Sequence, residues 1–156
     1  MAIRNIREEG DEILRKKSRE VSVFDEKLSV LIDDMYDTMY QANGVGLAAV
    51  QVGILKRVVV VDTREEGEKL ELVNPEIISK QGSREVLEGC LSVPGVHGYV
   101  VRPEKVTLKA QDRHGEWHEY SAEGLLAQAF CHETEHLDGG LFVDKVTEYI
   151  DNEDYE

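Results

Sequence analysis

The sequence predicts an α+β fold, with mixed or antiparallel sheets packed around a buried C-terminal helix that carries the motif HExxH. Three observations predict it. Strand-like stretches, either continuously apolar or alternating, fill the chain between residues 57 and 120. The segments between them are too short for the crossover helices that parallel βαβ units need. Helical periodicity is confined to the two sides of this region, over 25–42 and 123–137.

Taken in order, residues 1–24 mix charge with short apolar pairs, and Ile13-Leu14 is the pair expected to dock on the core. From Asp25 the apolar residues Leu28, Leu31, Ile32, Met35 and Met39 follow helical spacing, with Asp25 as N-cap and Asn43-Gly44 as C-cap. Both methionines belong to the core face. Gly44 to Gly53 is crowded with small residues that allow close backbone approach; it lacks the Lys-Ser/Thr of a phosphate loop. Arg57 to Val61 reads as a strand buried on both faces, and Leu70 to Val73 as a second, closed by Asn74-Pro75. A further extended piece starts at Ile77-Ile78 and runs through 81–87. Tyr99 to Arg102, Lys105 to Ala110 and Trp117 to Tyr120 are strands, the last two joined by a turn at Asp112-Arg113-His114-Gly115. The long helix Glu123 to Leu137 ends at Gly139-Gly140. The tail from Asp144 to Glu156 reads as a short helix or a frayed acidic end.

At 156 residues the chain is most simply one domain, spanning 1–156, with room for a sizeable core. Its formal net charge of −14 disfavours nucleic acid as a partner. No apolar run is long enough to span a bilayer, and the start lacks a signal-peptide core, so a cytoplasmic location is expected. Thiols stay reduced there, so Cys90 and Cys131 are read as ligand, nucleophile or packing residues and not as a disulfide.

The chemistry concentrates in Cys131-His132-Glu133-Thr134-Glu135-His136. Residues four apart on a helix differ in direction by only about 40°, so His132 and His136 face the same way and can close on one divalent metal. Glu133 sits beside the pair, within reach of a water at the metal without becoming a ligand. The apolar run Leu125 to Phe130 before the motif argues that the histidines are buried, where they need partners. A catalytic site needs a third ligand and an open position. The third histidine of the extended pattern HExxHxxGxxH is replaced by Phe142. Cys90, in the small-residue stretch Glu88 to Gly95, is the best candidate, as a thiolate; His97, His114 and His118 stay open, although the last two are expected to be exposed. Gln51, alone among apolar neighbours, is either a core amide bonded to backbone or a polar group aimed at a polarised carbonyl.

The stretches GVGLAAVQVG, EGCLSVPG and CHETEHLDG, in this order, resemble the three signature motifs of bacterial peptide deformylases, and the resemblance covers nearly the whole chain. It implies a monomeric α+β enzyme that removes the N-formyl group from N-formylmethionine of nascent polypeptides and releases formate. It implies Cys90, His132 and His136 as ligands, with ferrous iron as the native metal and zinc, nickel or cobalt able to replace it. Glu133 is then the general base, and Gln51 and the backbone N–H of Leu91 face the oxyanion. Val45, Leu125 and Ala129 are candidates for the methionine pocket, and the Val45-Gly46 and Gly89 edges for pairing with the peptide backbone. Contact with the ribosome is an open expectation. The chain departs from the motifs at Val50, Cys131 and Glu135, where proline, glutamine and aspartate are usual, and at His97, where some members carry arginine.

Overall fold

The computed structural model describes residues 2–150. Two helices, α1 (Glu26–Gln41) and α2 (Gly124–Leu137), sandwich a five-stranded antiparallel sheet of β1 (Gly46–Ala48), β2 (Val58–Asp62), β3 (Lys69–Gln81), β6 (Lys105–Gln111) and β7 (Trp117–Glu123), in the order β1-β2-β3-β6-β7. A second sheet holds β4 (Arg84–Cys90), β5 (Val93–Arg102) and β8 (Glu148–Ile150), in that order. The expected α+β architecture is therefore present.

The four-valine run of β2 shows why the site helix is held still. Successive side chains of a strand point to opposite faces. Val58 and Val60 pack with Leu28, Ile32, Met35 and Met39 of α1. Val59 and Val61 pack with Leu126, Ala127 and Phe130 of α2. All four valines are fully buried. Asp25 caps α1 as expected, its carboxylate accepting from Leu28 N–H at 3.1 Å. Leu14 docks in the core, with 1% of its surface exposed.

Two expectations are corrected. Asn74-Pro75 does not end a strand: β3 continues to Gln81 across a register shift between Val73 and Glu76. Proline has no N–H for a ladder and is tolerated at a bulge. Asn74 adopts φ 51°, a left-handed conformation that asparagine accepts, and its side chain bonds Val21 backbone on both sides at 2.8 and 2.9 Å. The tail is neither helix nor frayed end over its described part. After a 3-10 turn at Phe142–Asp144 it adds β8 to the edge of β5. Leu141 and Phe142 are buried against Val93 and Val100, which anchors what the acidic composition alone makes look loose. Residues 151–156 of that tail lie outside the described residues.

Candidate metal centre

The site lies where α2 faces the tight turn between β4 and β5. Cys90 ends β4, and Leu91-Ser92 makes the turn. On α2, His132 and His136 sit one turn apart, their Nε2 atoms separated by 3.2 Å. Cys90 Sγ stands 3.3 Å from His136 Nε2. The donor atoms of Cys90, His132 and His136 all lie within 4.8 Å of one another. His97 and His114 do not join them. His118 belongs to a different, exposed group with Asp112 and Glu116 in the β6–β7 hairpin.

The His132 ring is oriented by its surroundings. His132 Nδ1 lies 2.8 Å from Glu88 Oε1. A carboxylate only accepts, so that nitrogen carries the proton and the Nε2 lone pair turns toward Cys90 and His136. Burial pushes the Glu88 carboxyl up, but the Arg102 and His132 hydrogen bonds prevail and hold it down at about 2. Arg102, only 2% exposed, grips Glu88 through Nε at 2.6 Å and Nη2 at 2.8 Å, and reaches Glu135 through Nη1 at 2.7 Å. Lys145 closes the chain on Glu135 at 2.6 Å. Glu135, one of the departures from the motifs, thus meets both Arg102 and Lys145. Cys131 and Val50, two further departures, are packing residues at 3% and 0% exposure.

Glu133 is buried beside these three donors, and burial, opposed by the neighbouring His132, pushes its carboxyl up to about 7. Its Oε1 is buried and has no hydrogen-bond partner among the described residues, as is true of His136 Nδ1. A Cβ on Gly46 would stand 2.6 Å from Glu133 Oε2, so the glycine of β1 is what makes room for this carboxylate. Gln51, 1% exposed, is bonded to backbone, as one of the two readings expected. Its Oε1 accepts from Ala48 N–H at 2.9 Å, while Nε2 donates to Ser92 Oγ at 3.0 Å and lies 3.7 Å from Cys90 Sγ.

A cavity of about 400 Å³ opens onto Cys90, His132, Glu133 and Gln51. Its walls include six more of the sequence-predicted positions, Val45, Gly46, Gly89, Leu91, Leu125 and Ala129, whereas His136 does not line it. His97 lines it too. β1 and β4 are each an edge strand of their sheet, and both border this cavity. An extended peptide can pair with such edges.

The donor set fits a divalent metal. One thiol and two buried imidazoles converge beside the cavity, and the acceptor Glu133 Oε1 has no hydrogen-bond partner among the described residues. Ligation requires neutral rings, which a metal enforces on both histidines whatever charge Glu133, Cys90 and Glu88 favour on His132.

Sequence reading missed Glu88, Arg102 and Ser92 as supports of the site. The first two leave a signal. Glu88 continues the inward alternation of Val86, and Arg102 that of Val100. Opposite charges at two inward strand positions predict a buried pair.

Comparison with known proteins agrees with this geometry. The family model described as "Polypeptide deformylase" matches residues 3–151. The peptide deformylase of Caldicellulosiruptor bescii is 60% identical over 156 residues, covering 100% of this chain and 93% of that one. The peptide deformylase of Acetivibrio thermocellus is 55% identical over 156 residues, covering 100% of this chain and 91% of its own. The crystal structure of a peptide deformylase from Legionella pneumophila superposes with a TM-score of 0.90 at 52% identity, over 93% of this chain and 86% of that chain.

Proposed function

We propose how this chain works from one premise: it belongs to the polypeptide deformylase family, and it is a metal-dependent hydrolase that removes the N-formyl group of N-formylmethionine from nascent polypeptides, releasing formate. The whole chain, residues 1–156, is read as a single catalytic domain. Cys90, His132 and His136 would hold the metal. We assign ferrous iron, with zinc, nickel or cobalt as substitutes that the same donors accept. When bound, the ion supplies Lewis acidity toward water and the formyl carbonyl.

The protein's own groups do the rest. Glu133, with its carboxyl raised to about 7, sits where a general base works near neutral pH. It takes the proton of the attacking water and returns it to the departing amine. The Gln51 amide and the Leu91 N–H face the oxygen that gains negative charge. Gln51 does so from a fixed position, because Ala48 and Ser92 hold its two ends. Val45, Leu125 and Ala129 take the methionine side chain, and the backbone at Gly46 and Gly89 holds the peptide as an added strand. Recognition through backbone leaves the residues after methionine free to vary. A donor set carrying one thiolate leaves a divalent site nearer +1 than +2, so these hydrogen-bond donors carry more of the stabilisation.

The observation that carries this reading is the convergence of three donors within 4.8 Å beside a buried carboxylate at the floor of the cavity. No helix of the described residues is long and apolar enough to cross a membrane. We place the enzyme in the cytoplasm as a monomer, acting on chains leaving the ribosome; whether it docks there is a separate question for its acidic surface. Anaerobically prepared protein should release formate from formyl-Met peptides and leave acetyl-Met and internal peptide bonds intact. Cleavage of internal bonds instead would make it an endopeptidase and overturn the assignment.

A further inference from the structure

The N-terminal segment, residues 2–11, supplies none of the reacting groups, yet it is bonded to both loops that do. Arg7 N–H donates to the Gln51 carbonyl at 2.6 Å, and Glu9 N–H donates to the Ser92 carbonyl at 2.7 Å. The same two acceptor residues are joined side chain to side chain, Gln51 Nε2 donating to Ser92 Oγ at 3.0 Å. Arg7, Gln51, Ser92 and Glu9 thus form a closed ring. One half of it is the N-terminal backbone; the other half is the link that aims the Gln51 amide.

Both ends of the segment are tied elsewhere. Ala2 N–H donates to Asp34 at 2.9 Å, and Arg4 pairs with the same carboxylate at 2.9 Å. Arg4 N–H donates to Thr38 Oγ1 at 2.9 Å, which fixes the segment to α1. Downstream, Asp11 accepts from Ile13 N–H at 3.1 Å and caps the 3-10 turn Glu12–Arg15, whose Leu14 is buried. The segment is therefore placed by the core and by α1, not by the cavity. Gln51 itself lies in a 3-10 turn, Ala49–Val52. Rotation of its peptide plane would swing the side chain, and a misplacement of about 1 Å in such a donor is costly.

We infer that residues 2–11 are a positioning strap for the oxyanion side of the site, acting through the backbone N–H groups of Arg7 and Glu9. The inference rests on the role given above to Gln51. Arg7 and Glu9 touch no reacting atom; they set the carbonyls of Gln51 and Ser92, and through them the amide that faces the substrate.

Paired variants isolate the two N–H groups. Arg7→Ala and Glu9→Ala remove the side chains and keep each N–H, whereas Arg7→Pro and Glu9→Pro remove it. The alanine variants should stay within about twofold of the parent kcat, and each proline variant should lose about fivefold to tenfold in kcat with little change in KM. In the metal-free protein, the side-chain amide resonance of Gln51 should move in the proline variants and not in the alanine ones. Where proline disturbs folding, replacing the residue 9 amide by an ester deletes the same N–H without a ring, and both readouts should follow. Parent kcat and an unmoved Gln51 resonance in folded proline or ester variants would overturn the strap. Equal losses in the alanine and proline variants would overturn it too. Gln51→Ala measured alongside separates the two readings. An unaffected Gln51→Ala enzyme removes the role of Gln51 itself, whereas an impaired one beside indifferent proline variants removes the strap alone.

Discussion

The described residues contain two groups of three metal-capable donors, each gathered within the same limit. Cys90, His132 and His136 lie within 4.8 Å of one another, and so do Asp112, Glu116 and His118. What stands behind the donors differs. In the first group His132 is backed by Glu88, Glu88 by Arg102, and Arg102 by Glu135 with Lys145 beyond it. In the hairpin the donors satisfy one another: His118 Nε2 meets Asp112 Oδ2 at 2.8 Å, and Asp112 Oδ1 accepts from the N–H groups of His114 and Glu116 at 2.8 and 3.1 Å. That is a turn closing on itself. Distance alone therefore does not separate the two groups. Burial, a soft donor and a chain of support behind His132 do.

Substitutions in the two groups test this difference. Glu133→Ala should have the largest effect, lowering formate release by about 10²–10⁴-fold while metal content stays near the parent value. Undiminished turnover would remove Glu133 as general base. Cys90→Ser should come next, since a hydroxyl is a poor substitute for a thiolate: metal retained through gel filtration should fall severalfold, read by elemental analysis. Glu88→Gln keeps the shape of the support but weakens its hold on His132 and Arg102, and should cost about 10–100-fold in metal affinity. Competition against a chelator measures it, and unchanged affinity would mean the chain behind His132 is ornamental. His118→Ala should change neither metal content nor turnover, because its group is a turn device. A second equivalent of metal lost in that variant would erase the contrast drawn here.

A smaller effect concerns acid. Asp34 and Asp62 are buried carboxyls; burial pushes them up, but Ala2 and Arg4 for the first, and Tyr40 and Arg64 for the second, draw them below the usual aspartate range. Groups lowered in the folded state add stability that is present above the unfolded value of about 3.9 and disappears as pH falls through the folded values. Urea midpoints should decline below about pH 4, and Asp34→Asn should flatten part of that decline.

The legible part of the molecule was the part written in local pattern. The spacing of His132 and His136, the valine run of β2 and the Leu28-to-Met39 stripe of α1 are short-range features that physics reads directly. Cys90 was reachable because so few other residues could complete the set. Gln51 stood out as a polar residue in an apolar stretch, although its ties to Ala48 and Ser92 needed three dimensions. The supports were harder. Glu88 and Arg102 are 14 positions apart and meet only through the β4–β5 pairing. The bonds from Arg7 and Glu9 use backbone atoms, which no side-chain pattern announces. β8 was hidden by the acidic composition around it, and the bulge at Asn74 by a proline that usually ends a strand.

Cobalt substitution asks whether one thiolate and two imidazoles hold a single ion. Cobalt-loaded protein should bind one equivalent per chain and show a thiolate-to-cobalt charge-transfer band that is absent in Cys90→Ser. A cobalt spectrum without that band, or one that Cys90→Ser leaves unchanged, would contradict the account.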